Sequence, residues 1–76
     1  MHVTILGGAG FLGRKLANRI AAEGSVAGKK VSGMTLLDLA AATPPAARFP
    51  VNVVQAGLDD YEVLRRAMPD GTGVVF

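Results

Sequence analysis

The chain contains no cysteine and no tryptophan, and only one histidine and one tyrosine among its 76 residues. Without cysteine there is no disulfide framework and no thiolate metal site. His2 standing alone excludes a histidine-rich metal centre. No apolar run approaches the roughly 20 residues that cross a bilayer. The N-terminus lacks the basic region and small-residue cleavage site of a secretory signal. Charge of one sign is also scarce: eight Lys and Arg against six Asp and Glu leave a net charge of +2. The basic residues cluster no further than Lys29-Lys30 and Arg65-Arg66, which read as solvated surface. Neither a nucleic acid nor a membrane is expected as partner, and a cytoplasmic setting suits the composition.

What the chain does hold is glycine, ten residues of it, within a composition that is 50% hydrophobic. The length allows one small domain, which buries roughly 60% of its unfolded surface and is marginal by itself. His2 to Leu6 is a short, β-branched apolar run bounded by glycine, the pattern of a strand buried on both faces. From Phe11 to Glu23 the period becomes helical: Leu12, Leu16 and Ile20 recur every fourth residue, and Ala17 and Ala21 widen the stripe. Gly24 sits where a left-handed cap ends a helix. Ser25 to Gly33 reads as a polar connection. Met34 to Leu37 is a second strand, closed by Asp38. Ala40 to Pro50, with three prolines, reads as loop. Val51 to Gln55 is a third strand. A helix capped by Asp59 or Asp60 runs to about Met68, with Val63, Leu64 and Ala67 inward. Pro69-Asp70-Gly71 makes a turn, and Gly73 to Phe76 begins a fourth strand.

This alternation predicts an α/β fold, the N-terminal half of a Rossmann fold. Right-handed crossovers between parallel strands predict the sheet order 3-2-1-4, with the two helices on opposite faces.

The chemistry is concentrated between the first strand and the first helix. Glycines there can satisfy G-x-G-x-x-G through Gly8, Gly10 and Gly13, or G-x-x-G-x-x-G through Gly7, Gly10 and Gly13. Either spacing alone is weak, because glycine-rich turns are common. A preceding strand, a following helix and an acid at the end of the second strand make it a dinucleotide-binding pattern. Gly10 permits close approach of a diphosphate, Gly13 permits close helix–strand packing, and the helix N-terminus favours the anion. Asp38 lies twenty-five positions after Gly13, near the spacing of an acid that grips the adenosine ribose. A carboxylate there would repel a 2′-phosphate, so NAD is expected over NADP. Arg14, just after the glycines, reads first as a surface cation.

With these residues placed, the chain resembles the extended short-chain dehydrogenase/reductase family, the NAD-dependent epimerase/dehydratases. Gly7 to Gly13 is similar to that family's G-x-x-G-x-x-G turn, which favours the second register. Gly10 to Leu16 and the strand end Thr35-Leu36-Leu37-Asp38 resemble the D-erythronate dehydrogenase subgroup. The resemblance implies that Phe11 and Leu12 offer backbone N–H groups to the pyrophosphate. It implies that Asp38 binds the ribose and that the Leu58 backbone holds the adenine edge. Two positions depart from the pattern. Leu6 replaces a threonine that braces the turn, and Gly57 replaces an aspartate beside the adenine amino group. Asp59 or Asp60 could stand in, though at the wrong spacing, so weaker adenine recognition is expected.

The family's catalytic tyrosine, with a lysine four residues on, has no counterpart here. The sole tyrosine, Tyr61, is followed at that distance by Arg65 and reads as a helix-start or surface residue. The expectation is an NAD-binding segment of a larger oxidoreductase, inactive by itself, whose parent acts on a sugar or sugar acid. The rival is a short non-catalytic nucleotide-binding or interaction module, self-associating through an exposed sheet edge.

Overall fold

Apolar β-branched residues with no interrupting charge make His2–Leu6 the central strand, β1. The structure is a computed structural model, and it describes residues 1–57, 59–68 and 72–76. The chain continues through α1 (Phe11–Glu23), β2 (Ser25–Val26), β3 (Lys29–Lys30), β4 (Gly33–Asp38), β5 (Val51–Gln55), α2 (Tyr61–Ala67) and β6 (Thr72–Val75). Four strands form a parallel sheet in the order β5-β4-β1-β6. Counted this way the numbering departs from the expected 3-2-1-4, because β2 and β3 intervene in the chain without joining the sheet. The sheet members themselves stand with Val51–Gln55 outermost, then Gly33–Asp38, His2–Leu6 and Thr72–Val75.

Alternation along the strands decides the layers. Val3 and Ile5 of β1, with Met34 and Leu36 of β4, share one face and pack with Ala17 and Ile20 of α1 and with Val31. Thr4 points to the other face, where its hydroxyl donates to the Ala67 carbonyl at the end of α2, 2.6 Å away. The two helices therefore lie on opposite faces, as the crossover rule requires. Thr4 is fully buried, so this bond satisfies a polar group that water cannot reach. Thr4→Val keeps the shape but leaves the Ala67 carbonyl without its partner. A loss of about 1–2 kcal/mol is expected in urea unfolding, and an unchanged midpoint would show that the bond contributes nothing.

Three local readings are corrected. Leu12 does not join the buried stripe. It is 77% exposed, and the stripe turned inward is Leu16, Ala17 and Ile20, with Ala17 and Ile20 buried and Leu16 packed against the core from its edge. The connection after α1 is not plain loop but a two-stranded antiparallel hairpin of β2 and β3. Positive φ at both Ala27 and Gly28 gives its tight bend the twist that a two-residue hairpin favours. The strand after it starts one residue early, at Gly33. Of the two expected candidates, Asp60 is the one that caps α2, its carboxylate accepting from the Val63 N–H at 3.2 Å. Gly24 closes α1 in the left-handed conformation as expected, at φ 71°. Residues 40–50 contain no helix or strand, yet Ala42 and Phe49 from this segment pack against the core. The expected turn at 69–71 lies outside the described residues. No helix among the described residues is long and apolar enough to cross a membrane.

Candidate functional site

The chain leaves β1 at Leu6 and bends at once. Gly7 adopts φ 86°, a conformation that favours glycine. The bend is tied to β4: the N–H groups of Gly7 and Gly8 both donate to the Leu37 carbonyl, at 2.7 and 3.2 Å. The Ala9 N–H donates to Oδ2 of Asp38 at 3.0 Å, and the Gly10 N–H donates to the Gly7 carbonyl at 3.1 Å. The helical ladder starts with Arg14 N–H to the Gly10 carbonyl, at 2.9 Å. Every backbone donor from Gly7 to Gly10 is thus engaged internally. Those of Phe11, Leu12 and Gly13 have no internal partner among the described residues. No side chain caps this helix end, and its first turn holds no acid. It presents free donors and the positive end of the helix dipole together.

The glycines of the turn have different causes. A Cβ on Gly13 would collide with the Gly7 carbonyl oxygen and lie 3.1 Å from the Gly8 Cα, so helix and turn touch backbone to backbone there. A Cβ on Gly8 would come within 2.8 Å of the Leu36 Cβ. Gly10 is unlike both. Its backbone is extended, at φ −75° and ψ 167°, and a Cβ there would meet only the Gly7 carbonyl, at 3.4 Å. Apart from the helix N-cap, where glycine is mildly favoured over alanine, nothing inside the molecule asks for glycine at position 10.

Asp38 ends β4 beside this turn. Its Oδ2 accepts from Ala9 and its Oδ1 from the Ala40 N–H at 3.1 Å. These backbone donors, Ala40 first and Ala9 next, hold its carboxyl below the ordinary carboxylate range. A carboxylate has about four lone-pair positions, so two bonds leave acceptor capacity. Because the folded pKa is lowered, the stabilisation from ionised Asp38 is complete above the ordinary range. It is lost as pH falls from about 4 through the folded value. The gap in urea midpoint between the native chain and Asp38→Asn should therefore stay constant near neutrality and close only in acid. A gap that closes between pH 6 and 8 contradicts the assignment.

Gly7, Leu37, Asp38, Leu39 and Ala56 line a cavity of about 280 Å³ at the carboxyl ends of β1, β4 and β5. This is the end of an open parallel sheet where ligands bind. A larger cavity, about 520 Å³, lies at the other end of α1, between Gly24, Lys30, Arg48 and Phe49. It is a helix length away from the glycine turn.

The structure thus brings together Gly7, Gly10, Gly13, Asp38 and the backbone of Phe11 and Leu12. Leu58 lies outside the described residues. At neighbouring Gly57, a Cβ would collide with a carboxylate oxygen of Asp59 and come within 3.3 Å of the Leu39 side chain. Asp59 therefore occupies the room that a side chain at position 57 would need, and Asp60 is committed to its cap. Tyr61 is 71% exposed at the start of α2. Ala9, Leu39 and Ala56 also belong to this site without a signal in residue type. Ala9 acts only through its N–H, which leaves no trace in residue type. The other two line the cavity through their place at strand ends.

Comparison with known proteins agrees with this geometry. The chain is 43% identical over 81 aligned positions to a D-erythronate dehydrogenase of Cupriavidus necator, covering 100% of this chain and 24% of that protein. The crystal structure of a nucleoside-diphosphate-sugar epimerase from Agrobacterium tumefaciens superposes with a TM-score of 0.74 at 37% identity, covering 100% of this chain and 22% of that one. Over its whole length the chain resembles the N-terminal part of the extended short-chain dehydrogenase/reductases. It spans about a quarter of the length of these relatives. No protein-family model matches the chain. The relatives point to the dehydrogenase/epimerase kind of protein, which generally uses nicotinamide dinucleotides.

Proposed function

We propose that residues 1–76 form part of the NAD-binding domain of a dehydrogenase or epimerase. The observation that carries this reading is Gly10. Its side chain is missing where neither backbone conformation nor internal packing asks for that, directly before three unpaired helix donors. A diphosphate drawn close to the backbone supplies the missing reason. In this reading Gly7 forms the bend, Gly13 brings the helix onto it, and the N–H groups of Phe11 and Leu12 hold the diphosphate. Asp38 accepts from the adenosine ribose hydroxyls with its remaining lone pairs, and the Leu58 backbone borders the adenine.

The nicotinamide, when bound, supplies a hydride acceptor or donor. The part played by this chain is to bind and orient the cofactor. The family's tyrosine–lysine proton transfer has no residues among these 76. The Asp38 carboxylate disfavours a 2′-phosphate, so NAD is the cofactor and NADP the poorer ligand. The substrate of the assembled enzyme is a sugar or sugar acid, with oxidation of an acid of the D-erythronate kind the first to assay. A cytoplasmic setting fits the cysteine-free composition.

Calorimetric titration with NAD and NADP at millimolar concentration tests this. NAD should bind more tightly than NADP, and Asp38→Ala should lose roughly tenfold in NAD affinity, the equivalent of about 1.4 kcal/mol of binding free energy. Equal affinities for the two cofactors, or native affinity in the variant, removes the ribose assignment.

A further inference from the structure

We infer that Asp38 is a positioning residue for the diphosphate turn as well as a partner for the ribose, so that a ligand with no ribose hydroxyls also depends on it. The ligand half of this inference rests on the reading above; the anchoring half does not.

The turn makes only a few bonds to the rest of the molecule. Gly7 and Gly8 share one acceptor, the Leu37 carbonyl. The next bond outward is Ala9 N–H to Asp38 Oδ2, and Gly10 then bonds back within the turn. Asp38 is therefore the only side chain that a described hydrogen bond joins to the segment from Gly7 to Gly10. Its other oxygen is fixed by Ala40, so the carboxylate is braced between two backbone segments. The bond to Ala9 has a second consequence. It withdraws that N–H from any ligand, so the donors left for an anion are those of Phe11, Leu12 and Gly13. Removing the carboxylate releases Ala9 and lets the turn leave the arrangement that aims these three donors. A bond with one ionised partner is about twice as strong as a neutral one, and its geometry fixes the donor it holds. The carboxylate that reads the ribose thus also sets the shape of the diphosphate cradle, without touching a phosphate.

The test compares ADP with 2′,3′-dideoxy-ADP on the full chain by NMR titration, in native, Asp38→Ala and Asp38→Asn protein. The dideoxy compound keeps the diphosphate and the base but offers Asp38 nothing to bind. Asp38→Ala should bind it about fivefold more weakly than the native chain does. Asp38→Asn keeps one acceptor oxygen for Ala9 and should recover most of that loss. Amide hydrogen exchange at Ala9, without ligand, should be faster in Asp38→Ala and near native in Asp38→Asn. Native affinity of Asp38→Ala for the dideoxy compound overturns the inference. If neither nucleotide binds the native chain, the NAD-binding reading fails, and the Ala9 exchange rate alone decides the anchoring. A rate unchanged by Asp38→Ala overturns it.

Discussion

Gly13→Ala is expected to cost the chain about 3 kcal/mol, the upper range for forcing an atom into a packed interior. The obstacle is backbone on both sides. The new methyl group would collide with the Gly7 carbonyl oxygen, which is itself fixed by accepting from Gly10, and would crowd the Gly8 Cα. A flexible side chain could swing aside; a hydrogen-bonded turn cannot. Relief requires α1 to lift from the end of the sheet, which also loosens the packing of Ala17 and Ile20 on Val3 and Ile5. A domain of this size has a total stability on the order of 5 kcal/mol. The substitution should therefore lower the melting temperature by on the order of 15 °C, or leave the chain unfolded at 37 °C. A melting curve within two degrees of the native one would mean that helix and turn are not in contact at this point.

Gly10→Ala should produce the opposite profile. The position is extended and the added methyl group meets only ordinary contact with the Gly7 carbonyl. The stability cost is limited to the poorer helix-capping preference of alanine, about 1 kcal/mol or less. NAD affinity, in contrast, should fall tenfold or more if, as proposed, the diphosphate approaches the backbone where the methyl group would stand. Circular dichroism melting and NAD titration on the same sample separate the two effects. A variant that melts like the native chain and binds NAD equally well would deprive Gly10 of its ligand role. It would also remove the main support for the cofactor reading. The pair of glycine substitutions thus divides folding from binding within one seven-residue turn.

Much of this was legible in the chain because the signals are local. A β-branched run between glycines, a four-residue apolar period and an acid closing a short strand each report on a few neighbouring residues. Crossover handedness then converts their succession into neighbours in the sheet. Legibility ended where a contact depends on distant segments. Leu12 satisfies the helical period, but whether it is covered depends on what packs over it. The Ala27-Gly28 bend lacks the Asn-Gly or Asp-Gly signal of a tight hairpin, so a connection was expected and a hairpin formed. Asp59 and Asp60 are equivalent caps on paper. Only the start of α2 assigns the cap to Asp60 and leaves Asp59 beside Gly57.

By itself, the amino-acid sequence determined the order of the four sheet strands and the two helices, the glycine turn between the first of each, and the acid that faces it, because spacing and residue type act over short stretches of chain. The tertiary structure alone decided what each glycine meets: Gly13 and Gly8 are held by neighbouring backbone and by Leu36, whereas Gly10 is left open to the outside. It alone also joined Asp38 to Ala9, twenty-nine residues apart. Steric exclusion and hydrogen bonding act between atoms that folding brings together, and no pattern along one strand or helix encodes them.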